Sequence, residues 1–84
     1  MTFKDKLACS TLTDNQHDQI IRHIEFLFTI CATPDELLDE YKWLCTFIWN
    51  LESMSFICPR EREKYLVFIQ EKYEDYLERI EDEA

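Results

Sequence analysis

Apolar side chains recur every three to four residues along three segments of the chain, which is the spacing of amphipathic helices. Segment by segment, the stripes are Ile20, Ile24, Leu27 and Cys31; then Leu37, Tyr41, Leu44, Ile48 and Leu51; then Leu66, Ile69, Tyr73, Leu77 and Ile80. Each stripe marks the side of a helix that is buried. Three such stripes are enough to close one hydrophobic core.

Local signals place the start of each helix. Thr33, Pro34 and Glu36 form an N-cap, a first-turn proline and the third-position glutamate of a capping box. Thr13 and Gln16 repeat the capping pattern, and Pro59 suits the first turn of a third helix. We therefore predict helices over about 14–31, 34–57 and 59–82.

The connections between these segments are only a few residues long, so neighbouring helices must run antiparallel. The sequence predicts an all-α fold, a single up-down-up three-helix bundle that forms one domain over residues 1–84. For residues 1–12, which include Phe3, Leu7 and Leu12, the alternatives are a short packed segment, a short extra helix and a flexible segment.

Composition narrows the function classes. The 84 residues include no glycine and two prolines. Without glycine there is no phosphate-binding loop, dinucleotide fingerprint, EF-hand or nucleophile elbow. We therefore expect a protein that is not an enzyme and binds no cofactor.

Cysteines and histidines offer little chemistry. The four cysteines, at positions 9, 31, 45 and 58, have no CxxC spacing, so we expect free thiols and no metal site. His17 continues the main stripe of the first helix, whereas His23 lies on a second face of that helix. The two imidazoles are therefore not expected to share a ligand.

A second apolar face appears on the first two helices. It consists of Phe26, Ile30, Trp43, Phe47 and Met54. One explanation is that the middle helix is buried on two sides by its neighbours. The other is that these side chains contact a partner protein or a second copy of the chain, since aromatic residues and methionine are enriched at interfaces.

Acidic residues are the other notable feature, because 18 acids against nine bases give a net charge of −9. Six acids share an arc opposite the apolar stripe of the third helix: Glu71, Glu74, Asp75, Glu78, Glu81 and Asp82. They form either a solvated face or a binding surface whose charge spacing resembles that of DNA phosphates. The acids at 35–40 are explained by the dipole at the start of a helix.

These features together predict a small helical protein-binding module, an inhibitor or regulator that docks on a basic nucleic-acid-handling protein. In size and charge the chain resembles compact phage-encoded inhibitors and anti-CRISPR proteins. The alternatives are a homo-oligomeric structural or assembly protein, with a homodimer as the simplest form, and a DNA mimic. We expect a cytoplasmic protein that contacts neither nucleic acid nor membrane, because both favour a positive surface.

Overall fold

The computed structural model of this chain describes residues 12–83. In that range the backbone forms three helices and no strand: α1 (Asp14–Thr29), α2 (Pro34–Ser53) and α3 (Pro59–Glu83). The all-α prediction is confirmed. Of the segment predicted over residues 1–12, only Leu12 lies within the described residues, and it packs against the core.

All three helices start where the sequence predicts, and side chains satisfy their first N–H groups. Thr13 and Gln16 form a complete capping box, as do Thr33 and Glu36. Oε1 of Glu61 accepts a 3.1 Å hydrogen bond from the N–H of the residue that precedes Pro59. These bonds satisfy donors that have no partner inside a helix.

The first helix ends earlier than predicted, at Thr29 instead of residue 31. The N–H of Cys31 donates to the carbonyl of Phe28, three residues back, at 3.2 Å. This tighter bond closes the last turn, and the chain then becomes extended at Thr33 to cap α2.

The second helix ends at Ser53, four residues before the predicted end. Ser55 adopts a left-handed conformation with φ of 66°. Its N–H donates to the carbonyl of Glu52, and the N–H of Phe56 donates to the carbonyl of Leu51, each at 2.9 Å. This is a Schellman motif, in which serine occupies the position usually held by glycine.

Side-chain contacts fix the directions of the helices. His17, Glu25 and Phe28 of α1 contact Tyr65, Lys72 and Tyr76 of α3 in that order, so α1 and α3 run parallel. Along α2 and α3 the order is reversed: Tyr41 contacts Tyr73 and Glu52 contacts Arg62. The bundle therefore runs up, down and up.

The core contains side chains from every helix and from the turn after α2: Ile24, Phe28, Leu37, Leu44, Ile48, Leu51, Ile57, Tyr65 and Ile69. Burying each large aliphatic side chain contributes about 1.5–3 kcal/mol. α2 and α3 share the closest packing, whereas α1 contacts both more sparsely. Contacts are fewest between α1 and α2, where an open seam remains.

Candidate protein-binding surface

The five apolar residues predicted to contact a partner lie along the seam between α1 and α2. The helical turn of 100° per residue places Phe26 and Ile30 on the flank of α1 toward α2, and Trp43, Phe47 and Met54 on the flank of α2 toward α1. We call these five side chains the α1–α2 face. Phe26, Ile30 and Met54 are each 59% exposed and Trp43 is 52% exposed. Burial between neighbouring helices, the other explanation of this pattern, applies only to Phe47, which is half-buried.

Trp43 and Phe47 stack on one another in the middle of this face. Their ring centroids are 5.6 Å apart and the ring planes differ by 6°. The residues are four apart on α2, so the helix holds the two rings side by side. Phe47 also packs against the core, which anchors the pair. The result is a fixed aromatic surface in which Trp43 is half exposed.

A groove of about 390 Å³ lies beside this aromatic pair. It is lined by Leu12, Gln16, Gln19, Ile20, His23 and Phe47. His23, which the sequence assigned to the second face of the first helix, is exposed there. The walls combine apolar side chains with uncharged amides, so this part of the seam suits an apolar group with few charges.

The six predicted acidic residues of α3 are all exposed. They do not lie on the α1–α2 face, because α3 packs against the opposite flank of α2, through contacts such as Tyr41 with Tyr73. The apolar and acidic parts of the predicted surface are therefore separated by the width of α2.

The structure adds acidic residues that sequence reasoning attributed only to the helix dipole. Because α2 and α3 are antiparallel and Tyr41 lies beside Tyr73, residues 35–40 of α2 lie beside the C-terminal half of α3. We call residues 35–40 and 71–82 the acidic end. It contains ten acids and two bases, a balance of −8 in a chain whose net charge is −9. Nearly all of the net charge is thus at one end of the bundle.

Glu40 connects the acidic end with the α1–α2 face. It is half-buried on the flank of α2 toward α1. Burial, and then the carboxylates of Glu40 and Glu36, raise the pKa of the Cys31 thiol at the end of α1. No ion pair involves Glu40 within residues 12–83. The proximity of Glu40 to Cys31 depends on how α1 and α2 are aligned, which the sequence pattern within either helix does not report.

A row of hydrogen-bonded polar side chains links α1 to α3, on the flank of α1 that faces away from α2. Nδ1 of His17 is hydrogen-bonded to the hydroxyl of Tyr65, and Nε2 lies 3.2 Å from a carboxylate oxygen of Glu61. Burial, and then Glu61, raise the pKa of Tyr65 to about 12, so the hydroxyl keeps its proton at neutral pH. A protonated phenol is a poor nucleophile. The arrangement therefore fits a hydrogen-bonded connection between helices.

Trp49 has a different environment from Trp43, although it is also half exposed, at 50%. The guanidinium of Arg62 lies 4.2 Å from the centroid of its ring and 3.3 Å from a carboxylate oxygen of Glu52. Acidic and basic residues alternate around Arg62, a pattern typical of a solvated face, but its side chain is only 17% exposed. One face of Trp49 is thus covered by the protein itself.

Across residues 12–83 no group of three or more His, Cys, Asp or Glu side chains is placed to hold a metal ion. The thiols of Cys31, Cys45 and Cys58 are free, whereas Cys9 lies outside the described residues. None of the three helices has the length and apolar character needed to cross a membrane.

Comparison with protein-family models, with curated proteins and with solved structures gives no significant match to this chain.

Proposed function

We propose that this protein is a protein-binding module, an inhibitor or regulator that docks on a basic, nucleic-acid-handling protein. The observation that carries the proposal is the half-exposed ring of Trp43, stacked on Phe47 in the middle of the α1–α2 face. Such a pair is a ready anchor for a partner, because tryptophan and other aromatic residues dominate the binding energy of many interfaces.

The rigidity of the pair favours binding. Phe47 is held by the core and Trp43 is held by Phe47, so little side-chain entropy is lost when a partner covers them. The groove lined by Ile20, His23 and Phe47 lies directly beside them and offers a place for one apolar side chain of the partner.

The charge distribution supports a basic partner. A balance of −8 at the acidic end produces a negative field directed to one side of the molecule. Such a field speeds association with a positive surface and opposes binding to the phosphate backbone. Proteins that handle nucleic acid carry basic surfaces of this kind.

The exposed face also supports a second candidate function, that of a homo-oligomeric structural or assembly protein. In this case the α1–α2 face joins copies of the chain, and the acids keep the assembly soluble. A DNA mimic is the third possibility, and it would depend on the acids of α3 alone.

Capture experiments with matched variants test the proposal. Tagged wild-type protein, Trp43→Ser and Trp49→Ser are used as bait with lysate of the source organism, and captured proteins are identified by mass spectrometry. We expect a basic protein to be retained by the wild type and by Trp49→Ser, and to be lost with Trp43→Ser. Capture that is unaffected by Trp43→Ser would contradict the proposal.

The purified partner then separates the candidates. We expect binding to weaken as salt rises, and to weaken only partly when Glu74, Asp75 and Glu78 are each changed to Lys. Loss of most binding in this triple variant, with Trp43→Ser still active, would instead support the DNA mimic. Capture of no specific partner, together with stable oligomers, would support the assembly protein.

A further inference from the structure

We infer that, in the absence of another partner, the α1–α2 face is covered by a second copy of this chain in an antiparallel two-fold dimer. The inference concerns the same face as the proposed function but does not depend on it. It rests on the area of this face, on its charge pattern and on the position of the acidic end.

The exposed apolar area is appropriate for the centre of an interface. At roughly 200 Å² for a fully exposed large side chain, the exposed fractions of Phe26, Ile30, Trp43 and Met54 amount to about 460 Å². The largest apolar patch on a typical monomer is about 300–600 Å², and a stable interface buries about 800 Å² per partner. The groove side chains, with Phe47, supply further area around this centre.

The two ends of the α1–α2 face differ in charge. Near the turn between α1 and α2 the face is bordered by Glu36 and Glu40. At the other end the flanking residues Gln16, Gln19 and Asn50 are uncharged. Arg22, which flanks the middle of the face next to Phe26, is paired with Asp18 at 2.8 Å. A second copy therefore meets little like charge if its own acidic end points the other way.

The acidic end decides between the two possible two-fold arrangements. In a parallel dimer, two ends with a balance of −8 would lie side by side and repel one another. In an antiparallel dimer they point in opposite directions, and Glu36 of one copy lies level with Met54 of the other, which is about 27 Å along α2 from Glu36, roughly three Debye lengths at physiological salt. Glu36 and Glu40 of each copy then lie over the uncharged amides of the other copy.

Such a dimer would compete with the proposed partner, since both cover Trp43. The partner would then have to displace the second copy, and its apparent affinity would fall as the concentration of this protein rises. Self-association would in this way regulate how much of the Trp43 surface is available.

Sedimentation equilibrium of the untagged full chain between about 1 and 500 µM tests the dimer. We expect a dissociation constant of about 1–100 µM for the wild type, at least a tenfold weaker one for Trp43→Ser and for Phe26→Ser, and a change of less than twofold for Trp49→Ser. Circular dichroism checks that each variant is folded. A wild-type chain that stays monomeric at 500 µM overturns the inference, as does equal weakening by Trp43→Ser and Trp49→Ser.

Isotope-filtered NMR on a mixture of labelled and unlabelled wild-type protein tests the orientation. The antiparallel dimer predicts intermolecular NOEs between the methyl groups of Ile30 and Met54. Within one chain these methyl groups cannot meet, because Ile30 lies beside the first turn of α2 and Met54 lies roughly 27 Å away at its other end. NOEs between Ile30 and its own counterpart would overturn the antiparallel arrangement. A monomer that still captures a partner through Trp43 refutes only this inference, whereas a dimer that captures nothing refutes only the proposed function.

Discussion

Tyr41 of α2 and Tyr73 of α3 have ring centroids 4.7 Å apart, and this contact fixes how the two helices are aligned. The alignment brings the acids of the first turns of α2 beside those of the second half of α3. Like charges are thereby concentrated in the folded state, where they repel one another more than in the unfolded chain. The favourable contacts elsewhere in the bundle must offset this repulsion.

Reversing one charge at the acidic end should therefore stabilise the protein. Glu78 has acids three and four residues away on both sides, at positions 74, 75, 81 and 82. We expect Glu78→Lys to raise the free energy of unfolding by about 0.5–1 kcal/mol, because it replaces repulsion with attraction near a helix C-terminus. Urea denaturation at low salt measures the change, which should shrink in 0.5 M NaCl.

Glu63→Lys is the matched control for this prediction. Glu63 lies in the first turns of α3, three residues after Arg60, where a carboxylate is favoured by its neighbour and by the helix dipole. This variant should be neutral or slightly destabilised. Equal effects of the two substitutions would show that repulsion at the acidic end is not important.

Ser55 offers a second test, because it holds a left-handed conformation without being glycine. This conformation costs a residue with a side chain about 1–2 kcal/mol, whereas glycine adopts it freely but has a more flexible unfolded state. We expect Ser55→Gly to stabilise the protein by about 0.5 kcal/mol in urea denaturation. Ser53→Gly, at the last residue of α2, should instead destabilise the protein.

The cap of α2 should contribute measurably to stability. Oγ1 of Thr33 accepts a 3.2 Å hydrogen bond from the N–H of Glu36. Thr33→Ala removes this acceptor and should lower the free energy of unfolding by about 1 kcal/mol. Thr46→Ala is the control, because Thr46 is exposed in the middle of α2 and its hydroxyl donates to the carbonyl of Lys42 without capping a helix. A loss as large in the control would mean that the cap is unimportant.

Stability should fall at alkaline pH because of Tyr65. Burial, then Glu61, raise the pKa of Tyr65 from its ordinary 10 to about 12. Between these values the unfolded state releases the proton more readily, so stability is complete below pH 10 and decreases as pH rises toward 12. The expected loss is about 2 kcal/mol, measured by urea denaturation at pH 9, 10, 11 and 12.

Tyr65→Phe cannot lose this proton and should show a smaller decrease across the same pH range. It should also be less stable at pH 8, by about 1 kcal/mol, because the hydrogen bond to His17 is removed. Tyr76→Phe leaves Tyr65 unchanged, so its stability should decrease with rising pH as that of the wild type does. An unchanged alkaline decrease in Tyr65→Phe would assign the effect to other groups.

Much of the fold could be predicted from local signals. The starts of α1 and α2 depend on capping boxes, which are contained in four consecutive residues. The end of α2 could not be predicted, because it depends on Ser55 adopting a conformation that serine rarely takes. Helical periodicity placed Trp43 correctly on a second face, but only the sparse packing of α1 against α2 decides that it is exposed.

The surface was less predictable than the fold. The acids of α3 are exposed as their periodicity implies, yet their neighbours at 35–40 depend on the register between helices that are distant in sequence. The basic and acidic residues that alternate around Arg62 are typical of a solvated face, but Trp49 and Glu52 cover its side chain. Both cases involve contacts between helices, which periodicity within one helix does not report.

The Schellman turn at Ser55 also bears on the denatured chain. No residue of the 84 is glycine, so every position carries a side chain that restricts its φ and ψ angles when unfolded. Such a chain has fewer disordered conformations to gain on melting than one containing glycine. This protein therefore loses comparatively little conformational entropy when it folds, and that saving offsets the backbone strain at Ser55.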